Sequence, residues 1–218
     1  MTDLLQGLNG GNVPALDLIL LITLVALLPS IVIMMTSFTR IIIILSFTRN
    51  ATGVQQTPPN MVLTGIALFL TLYIMSPVIS RINTEAYQPY VKGEITQQEA
   101  VKRLEEPMKE FMLRNTELDT LELFVEMSDA ELKENPMDYP LTVVTPAFMT
   151  SELKRGFMSG FLLYLPFLLI DVIVATTLMS MGMVMLPPTM ISMPFKLLLF
   201  VTVDGWELLF SSIVRSFR

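Results

Sequence analysis

The sequence predicts an all-α fold of the integral membrane type: four long apolar helices in two helical hairpins, with a small helical extramembrane domain inserted between the hairpins. Three observations carry this expectation. The 218-residue chain is 52% hydrophobic and only 16% charged, with a mean hydropathy of +0.61, whereas soluble domains run at roughly a quarter charged. Its apolar residues fall into runs close to the ~20 residues that cross a hydrocarbon core. Its charge is segregated: residues 81–140 hold fourteen acidic and seven basic residues, a net of −7, and the rest of the chain comes to +1.

The first apolar segment starts at Leu18, runs through LILLITLVALLPSIVIMMTSF and continues past Arg40 into IIIILSF. At 1.5 Å per residue it is longer than a bilayer is thick, so part of it must project or tilt. No Lys or Arg precedes it, and it is too long for the apolar core of a signal peptide, so it is expected to be retained. The second segment is MVLTGIALFLTLYIMSPVI, residues 61–79. These segments make a first domain, residues 1–80.

The acidic domain, residues 81–150, reads as helical. Thr96-Gln97-Gln98-Glu99 has the spacing of a capping box, in which the Thr hydroxyl and the Glu carboxylate each satisfy an orphan backbone donor. Val101, Leu104, Met108 and Phe111 then recur at helical spacing. Leu118, Leu121 and Val125 repeat the pattern with Phe124 close by, and Pro136 and Pro140 end it. Two short helices bury little alone, so they are expected to pack on each other or on a neighbouring subunit.

Residues 151–218 form the second hairpin. Its first arm is FMSGFLLYLPFLLIDVIVATTL, residues 157–178, and its second runs from about Ile191 to Val214, interrupted by Lys196, Asp204 and Glu207. PPNMV at 58–62 and PPTMI at 187–191 open the second arm of each hairpin alike, because proline suits a first helical turn. Loop 36–60 carries Arg40 and Arg49 and no acid, so the positive-inside rule puts it in the cytoplasm. The acidic domain then lies outside and loop 179–190 inside, while Arg215 and Arg218 pull weakly the other way.

Charges inside apolar helices need partners. An ionised carboxylate at Asp171 costs several kcal/mol unless paired or neutralised. Asp171 and Lys196 are equidistant from a turn centred on Met183–Val184, which sets them side by side in antiparallel helices as an ion pair bracing the hairpin. Asp204 and Glu207, three apart, are expected to face protein or water. Glu152 after Thr150-Ser151 reads as a favourable first-turn charge, with Lys154 and Arg155 available to nearby acids. Trp206, the one Trp, reads as an interfacial anchor or a packing residue between subunits. Met179 and Met181 read as the helix end and its core. The absence of His and Cys removes imidazole bases, thiol nucleophiles, Cys/His metal cages and disulfides, and the net charge of −6 argues against nucleic acid. No cofactor, metal or catalytic residue is expected.

Several motifs together resemble one family. FTRNATGVQQTPPNMVL (47–63), FMLRNTELDTLELF (111–124), the run from TPAFMTSELKRGF through DGWELL (145–209) and MMTSFTRIIIILSF are similar to the FliP family of the flagellar type III export gate, whose injectisome counterparts are the SctR proteins. The resemblance implies a non-enzymatic inner-membrane protein of the flagellar basal body. It implies a homo-oligomer, with five copies expected, assembled with FliQ, FliR and other export-apparatus membrane proteins. That assembly would be a channel for unfolded flagellar proteins, lifted largely out of the bilayer on the periplasmic side. It further implies a methionine-rich pore gasket at Met183, Val184 and Met185, with Val184 standing where a third methionine is expected, and subunit contacts at Phe111, Phe124 and Glu152. In an extended segment Met183 and Met185 would point the same way, and such flexible, polarisable side chains suit a deformable seal. Two other classes stay open: a proton- or ion-coupled transporter using Asp171, and a membrane scaffold.

Overall fold

In the computed structural model, residues 15–54, 57–128, 133–183 and 185–217 are described. Among them every regular element is helical. Helices α1 (Ala15–Met34), α2 (Phe38–Ala51) and α3 (Asn60–Ile82) are followed by α4 (Gln97–Arg114) and α5 (Leu118–Met127). The chain then forms α6 (Leu141–Ser180), α7 (Pro188–Thr202) and α8 (Gly205–Arg215). A π-helical turn at Asn83–Tyr87 prolongs α3 into Gln88–Val91.

Among the described residues, two helices are long and apolar enough to cross a membrane, Asn60–Val91 and Leu141–Ser180. A third span results only if α7 and α8, bent by 63° against each other, count as one. Of the four long apolar helices expected from hydropathy, two are divided by a break in the backbone. Between α1 and α2, the Thr36 hydroxyl donates to the Ile33 carbonyl at 2.9 Å and accepts from the Phe38 amide at 3.4 Å. Such local side-chain bonds compete with the helical ladder. Between α7 and α8, Asp204 is left-handed, φ 52° and ψ 47°. Asp204 thus caps α8 at the bend, and Glu207 lies in the first turn of that helix. The third helix is longer than its apolar run: α6 begins at Leu141 and ends at Ser180.

Helix α2 is the centre of the fold, packed against α3 and, most extensively, against α6. It runs parallel to α6, since Arg40 meets Glu152, Ile43 meets Gly156 and Phe47 meets Gly160. Phe148, Glu152, Gly156 and Gly160 recur every fourth residue as one buried stripe on α6, and helices approach closely over such small residues. A Cβ at Gly160 would lie 2.5 Å from the Phe47 ring, so only glycine admits this crossing.

A charge pair is sealed inside the seam. Arg40 Nε donates to Glu152 Oε2 at 3.0 Å, and Arg40 Nη2 pairs with Glu152 Oε1. The two side chains are 3% and 0% exposed. Arg40 Nη1 reaches the Ser216 hydroxyl at 3.1 Å, and the guanidinium lies 3.8 Å from the centroid of the Phe217 ring, within cation–π range. Phe217 in turn stacks on Phe111, which packs edge-on to Phe148. This overturns two expectations. Arg40 is a core residue rather than a cytoplasmic loop charge, so Arg49 alone is left for the positive-inside argument. Glu152 sits eleven residues into α6, far from any helix N-terminus.

The acidic helices pack on the rest of the chain: α4 on α3 and α6, and α5 on α6. The Thr96 hydroxyl accepts from the Glu99 amide at 3.3 Å, but the Glu99 carboxylate turns to Arg103 at 2.6 Å, leaving the capping box half formed. At the start of α5 the Glu117 amide donates to the Ser151 hydroxyl at 3.0 Å. The Glu117 carboxylate accepts from Lys154 at 2.5 Å, and this bond holds its carboxyl below the usual carboxylate range.

Glu152→Gln leaves Arg40 buried and unpaired, and is expected to destabilise the chain by about 3–5 kcal/mol. The double change Arg40→Met with Glu152→Leu should recover much of that loss. Thermal unfolding of detergent-solubilised protein checks both; equal damage from the single and double variants would contradict the pairing.

Candidate functional site

The hairpin of α6 and α7 outreaches the core. Phe167 is the last buried residue of α6. From Asp171 to Ser180 the helix advances about a further 14 Å, and α7 packs against α6. Two polar contacts join the arms. Lys196 Nζ donates to Asp171 Oδ2 at 2.5 Å, and the Ser192 hydroxyl donates to Asp171 Oδ1 at 2.5 Å. Both carboxylate oxygens are therefore engaged, from residues four apart on one face of α7. The pair is shielded unequally: Lys196 is 4% exposed and Asp171 21%. Part of the cover comes from the end of α2, where Gly53 lies against Met193 and the Lys196 stem. Sequence reading missed Ser192; its signal was the four-residue spacing to Lys196 on the face opposing Asp171.

At the tip, helix α6 closes in a Schellman motif. Gly182, at φ +76°, takes the left-handed position that favours glycine. Its amide bonds the Met179 carbonyl at 3.1 Å, and the Met183 amide bonds the Leu178 carbonyl at 3.0 Å. The return arm starts on Pro187 and Pro188, the latter in the first helical turn. Met183 lies in neither helix nor strand and Met185 in a turn; Val184 lies outside the described residues. Met185 is 97% exposed and Met183 42%. Met179 and Met181 are exposed as well, which corrects their assignment to the helix core. The tip therefore presents four exposed thioether side chains, at Met179, Met181, Met183 and Met185.

The three expected subunit-contact residues separate. Phe111 and Glu152 are enclosed by their own chain, so they present no surface to a second copy in this conformation. Phe124 is half-buried, on the flank of α5. Among the described residues, no group of three or more His, Cys, Asp or Glu side chains is placed to hold a metal ion.

Fold and site together define a class: a protein, helical throughout its described residues, whose long apolar helices suit a membrane, with a charge-braced hairpin presenting an exposed apolar tip. The comparisons with known proteins are more particular. Residues 21–213 match the FliP family. The flagellar biosynthetic protein FliP of Bacillus subtilis is 52% identical over 200 residues, covering 92% of this chain and 90% of the relative. That of Aquifex aeolicus is 48% identical over 212 residues, covering 96% and 89%, and that of Pectobacterium carotovorum 49% over 211 residues, covering 96% and 82%. This chain belongs to the FliP family.

Removing the charge of either Asp171 or Lys196 strands its partner. Asp171→Asn and Lys196→Gln are each expected to lower thermal stability in detergent, and the double variant to lose less than their sum. A coupling energy of about 1–3 kcal/mol is expected. Strict additivity would show that the two groups do not act as a pair.

Proposed function

We propose that this chain is a pore-forming core subunit of the flagellar type III export gate, passing unfolded flagellar proteins across the bacterial inner membrane. The observation that carries the reading is the tip of the second hairpin. In a single chain, a rigidly capped and charge-braced turn holds Met183 and Met185 in the open. Apolar side chains exposed in such a cluster belong against something. Repeated around a ring they would form a gasket with Val184. Thioether chains repack around irregular shapes, so the gasket would seal against ions when empty and yield to a passing polypeptide.

Under this reading the ring is a homo-oligomer, five copies in number, joined by FliQ and FliR and by other membrane proteins of the export apparatus. The acidic domain lies on the periplasmic side, between an N-terminal domain (1–80) and the C-terminal hairpin (151–218). Asp171 and Lys196 hold the tip in place. Phe124 supplies a subunit contact, and Phe111 and Glu152 support that surface from inside the chain. The transporter reading is the weaker one, because a proton-carrying Asp171 would have to leave both Lys196 and Ser192.

The chain has no cysteine, so a single introduced thiol is unambiguous. With Met185→Cys or Met183→Cys in native membranes, oxidation should give cross-linked dimers and arrest flagellar protein secretion until a reductant is added. Monomers only, with secretion unaffected, would remove the gasket.

A further inference from the structure

Two arginines far from the hairpin tip close the last turns of their helices, Arg114 that of α4 and Arg215 that of α8. Arg114 Nη2 donates to the Phe217 carbonyl at 3.1 Å, two residues beyond Arg215, so the ends of α4 and α8 meet there. Among the described residues no carboxylate pairs with either arginine, whereas Arg40, Arg81, Arg103 and Arg155 each have one.

A recess of about 550 Å3 opens at this junction, walled by Tyr73, Ile74 and Ser76 of α3, by Arg114, and by Val214 and Phe217. A second recess of about 600 Å3 shares Tyr73 and Val214 and adds Trp206 and Arg215. Both fall in the range of small-molecule sites, roughly 300–1,000 Å3. The one acid on these walls is Glu207, and it precedes Arg215 by two turns, about 12 Å along α8. Phe217 is held in place between the Arg40 guanidinium and the Phe111 ring, which makes that wall rigid.

Polarity changes along α3 in step with the recess. Phe69, Tyr73 and Ser76 follow helical spacing as one stripe, and Phe69 and Tyr73 are exposed. In one direction the stripe enters the apolar run of α3, and in the other it reaches Arg114. One turn farther on, the acids Glu85 and Glu110 are held by Arg81. Tyr and Trp, found here as Tyr73 and Trp206, are the residue types that settle where hydrocarbon meets water.

We propose that this recess binds an anionic phospholipid, its phosphate at Arg114 and Arg215 and one acyl chain laid along α3 towards Phe69. A guanidinium holds phosphate through paired, charge-assisted N–H bonds, and the Ser76 hydroxyl and Tyr73 phenol can each donate another. Basic pockets between membrane helices hold anionic headgroups in this way. The exposed apolar stripe leading away from the charges is what selects a lipid over a free phosphate. The site needs only that α3 meets a membrane, and is independent of the methionine tip and of any pore.

Native mass spectrometry of the detergent-solubilised chain, titrated with dioleoyl phosphatidylglycerol, tests the site. A saturable lipid adduct is expected, and Arg114→Gln with Arg215→Gln should weaken it about tenfold or more. Lys92→Gln with Lys102→Gln removes the same charge at exposed positions outside the recess and should leave it unchanged. Arg114→Lys keeps the charge and should keep most of the affinity; a loss equal to that of Arg114→Gln would mean that Arg114 only holds the end of the chain. Equal retention of dioleoyl phosphatidylcholine, or equal weakening by the control pair, would reject the site in favour of unspecific annular lipid. An adduct of comparable affinity with inorganic phosphate alone would overturn the lipid and assign the recess to a free anion.

Discussion

The fold depends on burying one ion pair, Arg40 with Glu152. A guanidinium and a carboxylate taken out of water cost several kcal/mol each unless every strong hydrogen-bonding direction is met. Here the bidentate contact, the Ser216 hydroxyl and the face of Phe217 meet most of them. Because the geometry must hold, α2 has one register against α6. The rest follows along α2. Once Arg40 is opposite Glu152, Phe47 falls opposite Gly160. Ala51 then falls among Phe167 and Phe200, and Gly53 lies over the Lys196 stem. The charge pair near one end of the molecule thereby sets how the braced hairpin is covered at the other.

Helix α6 serves as a spine with an anion at each of two levels. Glu152 and Asp171 are nineteen residues apart, about 28 Å along the axis. One takes its cation from α2 and the other from α7. Removing either cation would leave a carboxylate in surroundings that solvate it poorly, so the two neighbouring helices are held at defined heights on one long rod. The polar contacts are few, but each fixes an element that apolar packing alone would let slide.

Much of this was readable from the sequence where local chemistry decides structure. The proline pairs start helices α3 and α7, Thr96 accepts the Glu99 amide, and the helical spacing of Met108, Phe111, Leu121 and Val125 marks residues that pack inward. Asp171 and Lys196 are equidistant from one turn, and they touch. What hydropathy could not see was where an apolar run stops being one helix. Thr36 and Asp204 break runs whose average is apolar, and averages carry no backbone geometry. Arg40 failed for a related reason. A single arginine near a presumed helix end reads as a loop charge, and its partner lies 112 residues away on a parallel helix with no turn to relate them. The glycines at 156 and 160 were the clue, since their spacing marks a seam tight enough to enclose a charge.

The Schellman closure of α6 has a mechanical consequence for the tip. The amide of Met183 is tied to the Leu178 carbonyl, and Pro187 already belongs to the start of α7. Three residues remain between these anchors, and the chain from Met183 to Pro187 can span about 14 Å at most. A tether that short has no room to swing aside as a flap. Any displacement of the tip has to come from splaying of the two supporting rods or from rotation of the thioether side chains. The first is slow and resisted by the Asp171 contacts. The second is fast and nearly free of backbone motion, so a barrier built here would behave as a brush rather than a door.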